Sequence, residues 1–399
     1  MTRKICCIAI VLFVVSVFHA KGLEFEPWEG HPIDVHGAFS QGYIQTSDND
    51  WFRSHTEDGT SQFREIMLNA SIQLTDRLSF GAQLMSRDFL EFGDNELVLD
   101  WASLDFAFND LIGIRIGRIK HGMGFYGEAW DVDVARTASF LPLSTYAPHY
   151  RDWFIAADGG QVYGTLSLGK AGSLSYQAFV GTQTLAYGET GPEYLLEEDG
   201  WMEVKSDLVS DRVYVGKLTW DTPLEGLALS TTYLVSRDST VDFVMPNGTT
   251  GSFDIGQIAN WIGGVQYNHD EWTVTAEMSR MKFTDQGMKL NGVAAGPKED
   301  PRPLGGWNVE VNRMWGEKVT TALGYGEAYS DWHDRDIDED VRGKDRSDTY
   351  FAIKFDPLDY LTLKAEIHHL KGTYQFAGAQ NPDPEKTSWL YAFKATLFF

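Results

Sequence analysis

The sequence predicts an all-β chain: a transmembrane antiparallel β-barrel of sixteen strands, with short turns at one end and long loops at the other. Three observations carry that expectation. Half-polar segments with a period of two recur along the chain, short turn-forming clusters alternate with long polar stretches, and the chain closes on an apolar strand ending at Phe399. In a strand, alternate side chains face opposite sides, so a barrel wall shows one oily and one polar face.

From the front, Arg3 and Lys4 precede an apolar run from Ile5 to Phe18 that closes with Ala20. Basic, then apolar, then small is the order of a secretory signal peptide, and the run is shorter than the roughly 20 apolar residues a spanning helix needs. Residues 1–20 are therefore expected to be cleaved, taking with them Cys6 and Cys7, the two cysteines. The mature chain would then carry neither disulfide nor thiol chemistry. Without Arg3 and Lys4 the 33 basic residues fall to 31 against 57 acidic ones, a formal charge of −26, which argues against nucleic acid as a partner. Residues 21–32 are expected to be a periplasmic N-terminal segment and 33–399 the barrel.

The strands follow in order. Ile66, Leu68, Ala70, Ile72 and Leu74 alternate with Glu65, Asn69, Ser71 and Gln73. Trp272, Val274, Ala276 and Met278 alternate with Thr273, Thr275, Glu277 and Ser279, and Trp307, Val309 and Val311 with Asn308, Glu310 and Asn312. Near the end, Leu361, Leu363, Ala365 and Ile367 alternate with Thr362, Lys364, Glu366 and His368. In the last strand Trp389, Tyr391, Phe393, Ala395, Leu397 and Phe399 share a face, opposite Lys394 and Thr396. Tight turns read at Thr75-Asp76, Asn109-Asp110, Ala171-Gly172, Asp221-Thr222-Pro223, His269-Asp270, Gly316-Glu317 and Asp356-Pro357. Long polar stretches cover 45–61, 122–152, 186–205, 285–304 and 331–347. Seven turns and two chain ends make eight hairpins, hence sixteen strands, a number that encloses an aqueous channel where eight would fill with side chains. A soluble, secreted β-rich binding protein is the rival reading. The aromatic residues, 14% of the chain, weigh against it, because Trp220, Tyr267, Trp272, Trp307 and Trp389 fall at strand ends, where membrane barrels keep their girdles.

The opening "VHGAFSQGYI", the hairpin "LNASIQLTDRLSFGAQL" and the terminal Phe399 resemble the outer-membrane porins of Gram-negative bacteria. The inward-loop motif of the enterobacterial branch, Pro-Glu-Phe-Gly-Gly, is not found. The resemblance implies sixteen strands, a homotrimer, a third external loop folded into the pore, and a terminal aromatic strand that the barrel-assembly machinery reads through Phe399. It also implies an outer-membrane location, reached through the inner membrane.

The stretch 122–152 is the candidate constriction loop. It exceeds the 12–15 residues usual for a structureless loop, and Phe125, Trp130, Val132, Val134, Phe140, Leu141 and Leu143 make it too apolar to hang in water. It is expected to pack on the inner wall and offer Glu128, Asp131, Asp133 and Arg136 to the pore. Strand parity puts Arg87, Arg115, Lys217, Lys354, Lys364 and Lys394 on the lumen side, with Glu65, Glu277, Glu310 and Glu366. An acidic loop opposite such a wall filters solutes by charge and size.

No metal site is expected. Asp334, Asp336, Asp338 and Asp340 alternate, but a calcium loop starting at Asp334 needs glycine where Glu339 stands. His368 and His369 face opposite sides of a strand. These loop acids are expected to share divalent cations with lipopolysaccharide. Nor does any spacing join a nucleophile to a base, so no enzyme is read and no cofactor. The expected function is passive diffusion of small hydrophilic solutes. The alternative is a substrate-selective porin in which Arg87, Arg115 and Lys364 form a basic ladder for an anionic solute.

Overall fold

Period-two patterning becomes wall where both faces find a suitable neighbour, oil outside and polar or loop atoms inside. The computed structural model describes residues 22–27, 30–52, 54–187, 202–296, 301–335, 343–376 and 380–399. Its long strands are β1 (Ile33–Thr46), β2 (Phe63–Thr75), β3 (Leu78–Phe89), β4 (Leu97–Asn109), β5 (Ile112–Lys120), β6 (Ala156–Ser167), β7 (Ser173–Leu185) and β8 (Leu208–Asp221). They continue with β9 (Leu227–Val244), β10 (Thr250–His269), β11 (Trp272–Leu290), β12 (Leu304–Trp315), β13 (Val319–Tyr329), β14 (Asp345–Leu358), β15 (Leu361–Gly372) and β16 (Thr387–Phe398). Each pairs antiparallel with the next, and β16 returns to β1 from Leu390↔Thr46 to Phe398↔Ala38, closing a sixteen-stranded barrel. Three further strands of two or three residues, Leu23–Phe25, Glu203–Val204 and Val293–Ala294, extend the edges of β1, β9 and β11.

The closure strand shows how the sequence does this. Trp389 and Phe393 are exposed on the outside, while Ser388, Leu390, Ala392, Lys394 and Thr396 are buried within. Phe399 continues the ladder: its N–H donates to the Gly37 carbonyl at 3.0 Å and its carbonyl accepts from Gly37 at 3.2 Å. Its ring fills the space above Gly37, where a Cβ would lie 2.6 Å away.

The wall is uneven. β9, β10 and β11 run 18, 20 and 19 residues, but β5 only 9. At about 3.3 Å per residue, β5 measures about 30 Å along its own axis. Turns are short at one end, from two residues at 76–77 to five at 168–172 and 222–226. The opposite end carries the loops, including 47–62, 121–155 and 186–207, although 245–249 is as short as a turn.

One expectation is corrected. The turn placed at Asp356-Pro357 lies at 359–360, because β14 continues through a register shift between Phe355 and Leu358. Asp100 and Asp105 have opposite parity yet both reach inner-wall partners, because the ladder slips between Gln83 and Leu84 and leaves Asp100 as a bulge. The signal segment 1–20 and Asp336, Asp338 and Asp340 lie outside the described residues.

Candidate functional site

The segment 121–155 leaves β5, crosses the interior and returns through a short helix, α1 (Arg151–Ile155), into β6. Its apolar residues find cover inside the barrel. Met123, Leu141, Tyr146, Trp153 and Phe154 pack with inner-face residues of β7 to β11, among them Phe179, Leu185, Val213, Leu234, Ile258, Ile262 and Met281. Phe140 and Leu143 join Ile44, Phe63, Phe89, Leu370 and Leu390 on the other side. Wall glycines admit the loop: a Cβ at Gly306 would overlap the Ser144 carbonyl oxygen, and one at Gly326 the Ser144 hydroxyl. The last turn is held by Gln183 of β7, whose amide nitrogen donates to the carbonyls of Asp152, Trp153 and Ala156 at 3.2, 3.1 and 2.9 Å. Those are groups a helix end leaves without partners.

Charge fixes the half of the loop near β14 to β16. Asp133 is 2% exposed. Its carboxylate takes Lys364 Nζ at 3.1 Å, Lys394 Nζ at 3.1 Å and the Thr396 hydroxyl at 2.6 Å, with Arg136 at 3.6 Å. Lys394 also pairs with Glu65 of β2. Burial alone would raise the Asp133 carboxyl, but the surrounding cations more than offset it and hold the group well below the usual carboxylate range. Lys364 donates further to the Asp133 and Ala138 carbonyls at 2.6 and 3.2 Å, and Lys354 to the Val134 carbonyl at 2.6 Å. Glu366 accepts the N–H groups of Ser139 and Phe140 at 3.0 and 3.3 Å.

A second charged knot sits at the loop's return. Arg151, buried, donates through Nε to Asp131 at 3.0 Å and through its terminal nitrogens to Asp100 and Asp152 at 3.0 Å each. Lys120 meets Asp131 at 2.8 Å, and Arg87 meets Asp152 at 2.6 Å. Against the desolvation that would raise them, Asp131 and Asp152 are held low by Arg151 together with Lys120 and Arg87 respectively.

On the β8 to β12 side the anchors are carboxylates facing neutral donors. Glu277 accepts the Phe125 N–H at 2.7 Å and the Tyr146 hydroxyl at 2.8 Å. Glu310 accepts Tyr126 at 2.7 Å and Tyr350 at 2.6 Å. Lys217 donates to the Gly124 carbonyl at 3.0 Å and lies 3.5 Å from Glu128.

The sequence-predicted residues thus separate. Glu128 keeps an exposed side chain, 65% accessible. Asp131, Asp133 and Arg136 are buried in ion pairs instead of offering free charge, because their partners reach them from β5, β15, β16 and the loop itself. Arg87 faces Asp152, and Arg115 faces Asp105 of β4 at 2.6 Å, so neither meets the three predicted loop acids. The inner faces of β15 and β16 are covered from Thr362 to Leu370 and from Ser388 to Thr396. Sequence reasoning missed Arg151, Asp152, Lys120, Tyr126 and Tyr146. A lone arginine inside the apolar run "PHYRDWFI" was the available signal for Arg151, since such a charge is buried only with partners.

Two cavities flank the loop. One of about 360 Å³, toward the turn end, is bordered by Tyr126, Arg136, Thr137, Gln266, Asn312 and Lys354. Another of about 310 Å³, near the loop-end rim above the short strand β5, is bordered by Arg87, Glu96, Asp100, Arg151 and Asp152. Both are lined by charges of both signs, so the loop narrows the interior without building a one-sign filter.

No protein-family model matches the chain, and no curated protein matches it in sequence. Solved structures do resemble it. An anion-selective porin from Comamonas acidovorans is 12% identical with a TM-score of 0.54, covering 92% of this chain and 100% of its own. Salmonella typhi OmpF in complex with daunomycin is 13% identical at 0.57, covering 94% and 100%. OmpT of Vibrio cholerae, an outer-membrane protein folded in vitro and solved in trimer form, is 11% identical at 0.52, covering 93% and 100%. At this identity the likeness is one of fold, the sixteen-stranded porin barrel.

Proposed function

We propose that the protein is an outer-membrane channel of narrow bore through which small hydrophilic solutes diffuse passively, without catalysis. The observation that carries this reading is the segment 121–155, anchored across the inside of a closed sixteen-stranded barrel with a cavity on either side that charged residues help to line. Solutes pass between the loop and the wall, from the rim cavity to the turn-side cavity. Because Asp131, Asp133, Arg87, Lys364 and Lys394 are all paired, the passage discriminates by size more than by charge. The basic ladder for an anionic solute is the weaker reading, since Arg87, Arg115 and Lys364 each face a carboxylate.

The assembly we infer is a homotrimer joined through the low wall. A strand of about 30 Å tilted by about 40° rises about 23 Å, just short of the roughly 25 Å apolar band of such barrels. Subunit contact at β5 and β6 would also cover the outward pair Arg118–Asp158, 3.6 Å apart. Phe399, seated in the closing strand, is read as the mark for barrel assembly.

Single-channel recording in planar bilayers with ions of graded size tests the channel. The expected result is stepwise conductance that falls steeply with ion radius and small charge preference. A folded barrel that inserts without conducting would overturn it.

A further inference from the structure

Outward-facing charge is costly on a barrel wall at membrane depth, so each instance needs an account. Arg118 has Asp158 beside it. Arg313 has no such partner: among the described residues no carboxylate forms an ion pair with it, and its Nε is buried without a hydrogen-bond acceptor. It lies near the turn end of β12, on the outer side, because Asn308 and Glu310 face inward and Asn312 donates to Glu310 at 2.7 Å.

Two indoles surround it. Trp272, the first residue of β11, is its cross-strand neighbour, and Trp315 lies two residues on along β12. The guanidinium carbon sits 4.7 Å from the Trp272 ring centroid and 3.7 Å from that of Trp315. Trp315 is itself fixed, its indole N–H donating to the Thr321 hydroxyl at 2.9 Å. Both rings are about half exposed, at 42% and 52%.

A guanidinium stays charged at every relevant pH and carries five in-plane donors. Stacking on aromatic faces leaves the terminal Nη donors available and orders the fork, which matches the paired oxygens of a phosphate. Tryptophans at a barrel's end mark the depth of lipid headgroups. We propose that Arg313, Trp272 and Trp315 form a binding site for the phosphodiester of a glycerophospholipid in the leaflet bordering the turn end. The site requires that the barrel spans a membrane but is independent of whether it conducts.

The test is native mass spectrometry of the folded full-length mature barrel in a phosphate-free detergent, titrated with phosphatidylglycerol, with diacylglycerol, and with glycerol 3-phosphate. The expected result is one phosphatidylglycerol bound at least tenfold more tightly than the next. Arg313→Gln removes that step, Trp315→Leu weakens it several-fold, and diacylglycerol does not bind over the same range. Heat-modifiable migration on gels checks folding, and if Arg313→Gln does not fold, Arg313→Lys and Trp315→Leu decide. Equal lipid binding by folded variants and wild type overturns the site. So does glycerol 3-phosphate binding as tightly as the lipid, which would make it a site for free phosphate. Loss of trimers in the variants with lipid binding unchanged would make it a contact between copies instead.

Discussion

The inward loop is held differently on its two sides. Toward β14 to β16 and β2 to β4 the packing of Phe140 and Leu143 is joined by compensated charge, Asp133 among Lys364, Lys394 and Arg136, and Arg151 among Asp131, Asp100 and Asp152. Toward β7 to β12 it is bound by apolar packing and by Glu277 and Glu310 accepting hydroxyl and amide protons. Buried ion pairs fix a geometry but contribute little net stability over an apolar equivalent, whereas breaking one strands a buried charge. A carboxylate with neutral donors loses less when its charge is removed. One loop therefore carries a brittle side and a tolerant side.

The largest break is expected from Asp133→Asn, which leaves Lys364, Lys394 and Arg136 facing one another. It should cost about 3–5 kcal/mol, read as a lowered urea midpoint in lipid vesicles, and should raise single-channel conductance as the loop loosens. A variant matching wild type in both would end the distinction.

Next comes acid sensitivity, which should divide the sides in the opposite sense. Asp131 and Asp133 are held below the carboxylate range, so their contribution is present above the unfolded value of 3.8 and is lost only as pH falls through their lower folded values. His121, edge-on to Phe179 at 4.5 Å on the apolar side, has its pKa lowered from 6.5 to about 3 by burial and then by Arg118. As pH falls below 6.5 the unfolded chain binds the proton first, so stability is full above 6.5 and declines toward about 3. At pH 4.5 that loss is about 2.7 kcal/mol. His121→Phe should flatten the decline between pH 6.5 and 4.5 in urea titrations; an unchanged slope would place the acid sensitivity elsewhere.

Glu277→Gln should cost only about 1 kcal/mol, because the amide can still accept from Phe125 and donate to Tyr146. A loss equal to that of Asp133→Asn would erase the contrast. The smallest effect belongs to Glu128→Gln. As the exposed acid among the sequence-predicted loop residues it should move the reversal potential slightly toward anions under a salt gradient, with the urea midpoint unchanged. A larger shift from neutralising Asp331 and Asp334 would move the ion path away from the loop.

Much of the barrel was legible because side-chain alternation is local. Trp389 and Phe393 against Lys394 and Thr396 announce their faces without any neighbour, and so do Lys364 and Glu366. The bulge at Asp100 was not, because a register slip depends on the partner strand. Nor was the role of the glycines in "LGYGEAY": Gly324 gives room to the Tyr350 ring and Gly326 to Ser144, both distant in sequence.

The sequence by itself determined the all-β class, the strand count, the inward side of wall residues such as Lys364, Glu366 and Lys394 and the apolar character that sends 121–155 inward, since each follows from period two or from composition. Only the tertiary structure decided which charges remain free. Pairing depends on height along the strand and on where the loop crosses, and strand parity specifies neither. Asp133 belongs to Lys364 and Lys394, and Arg87 to Asp152, because the closed barrel brings segments more than 60 residues apart within 3.1 Å.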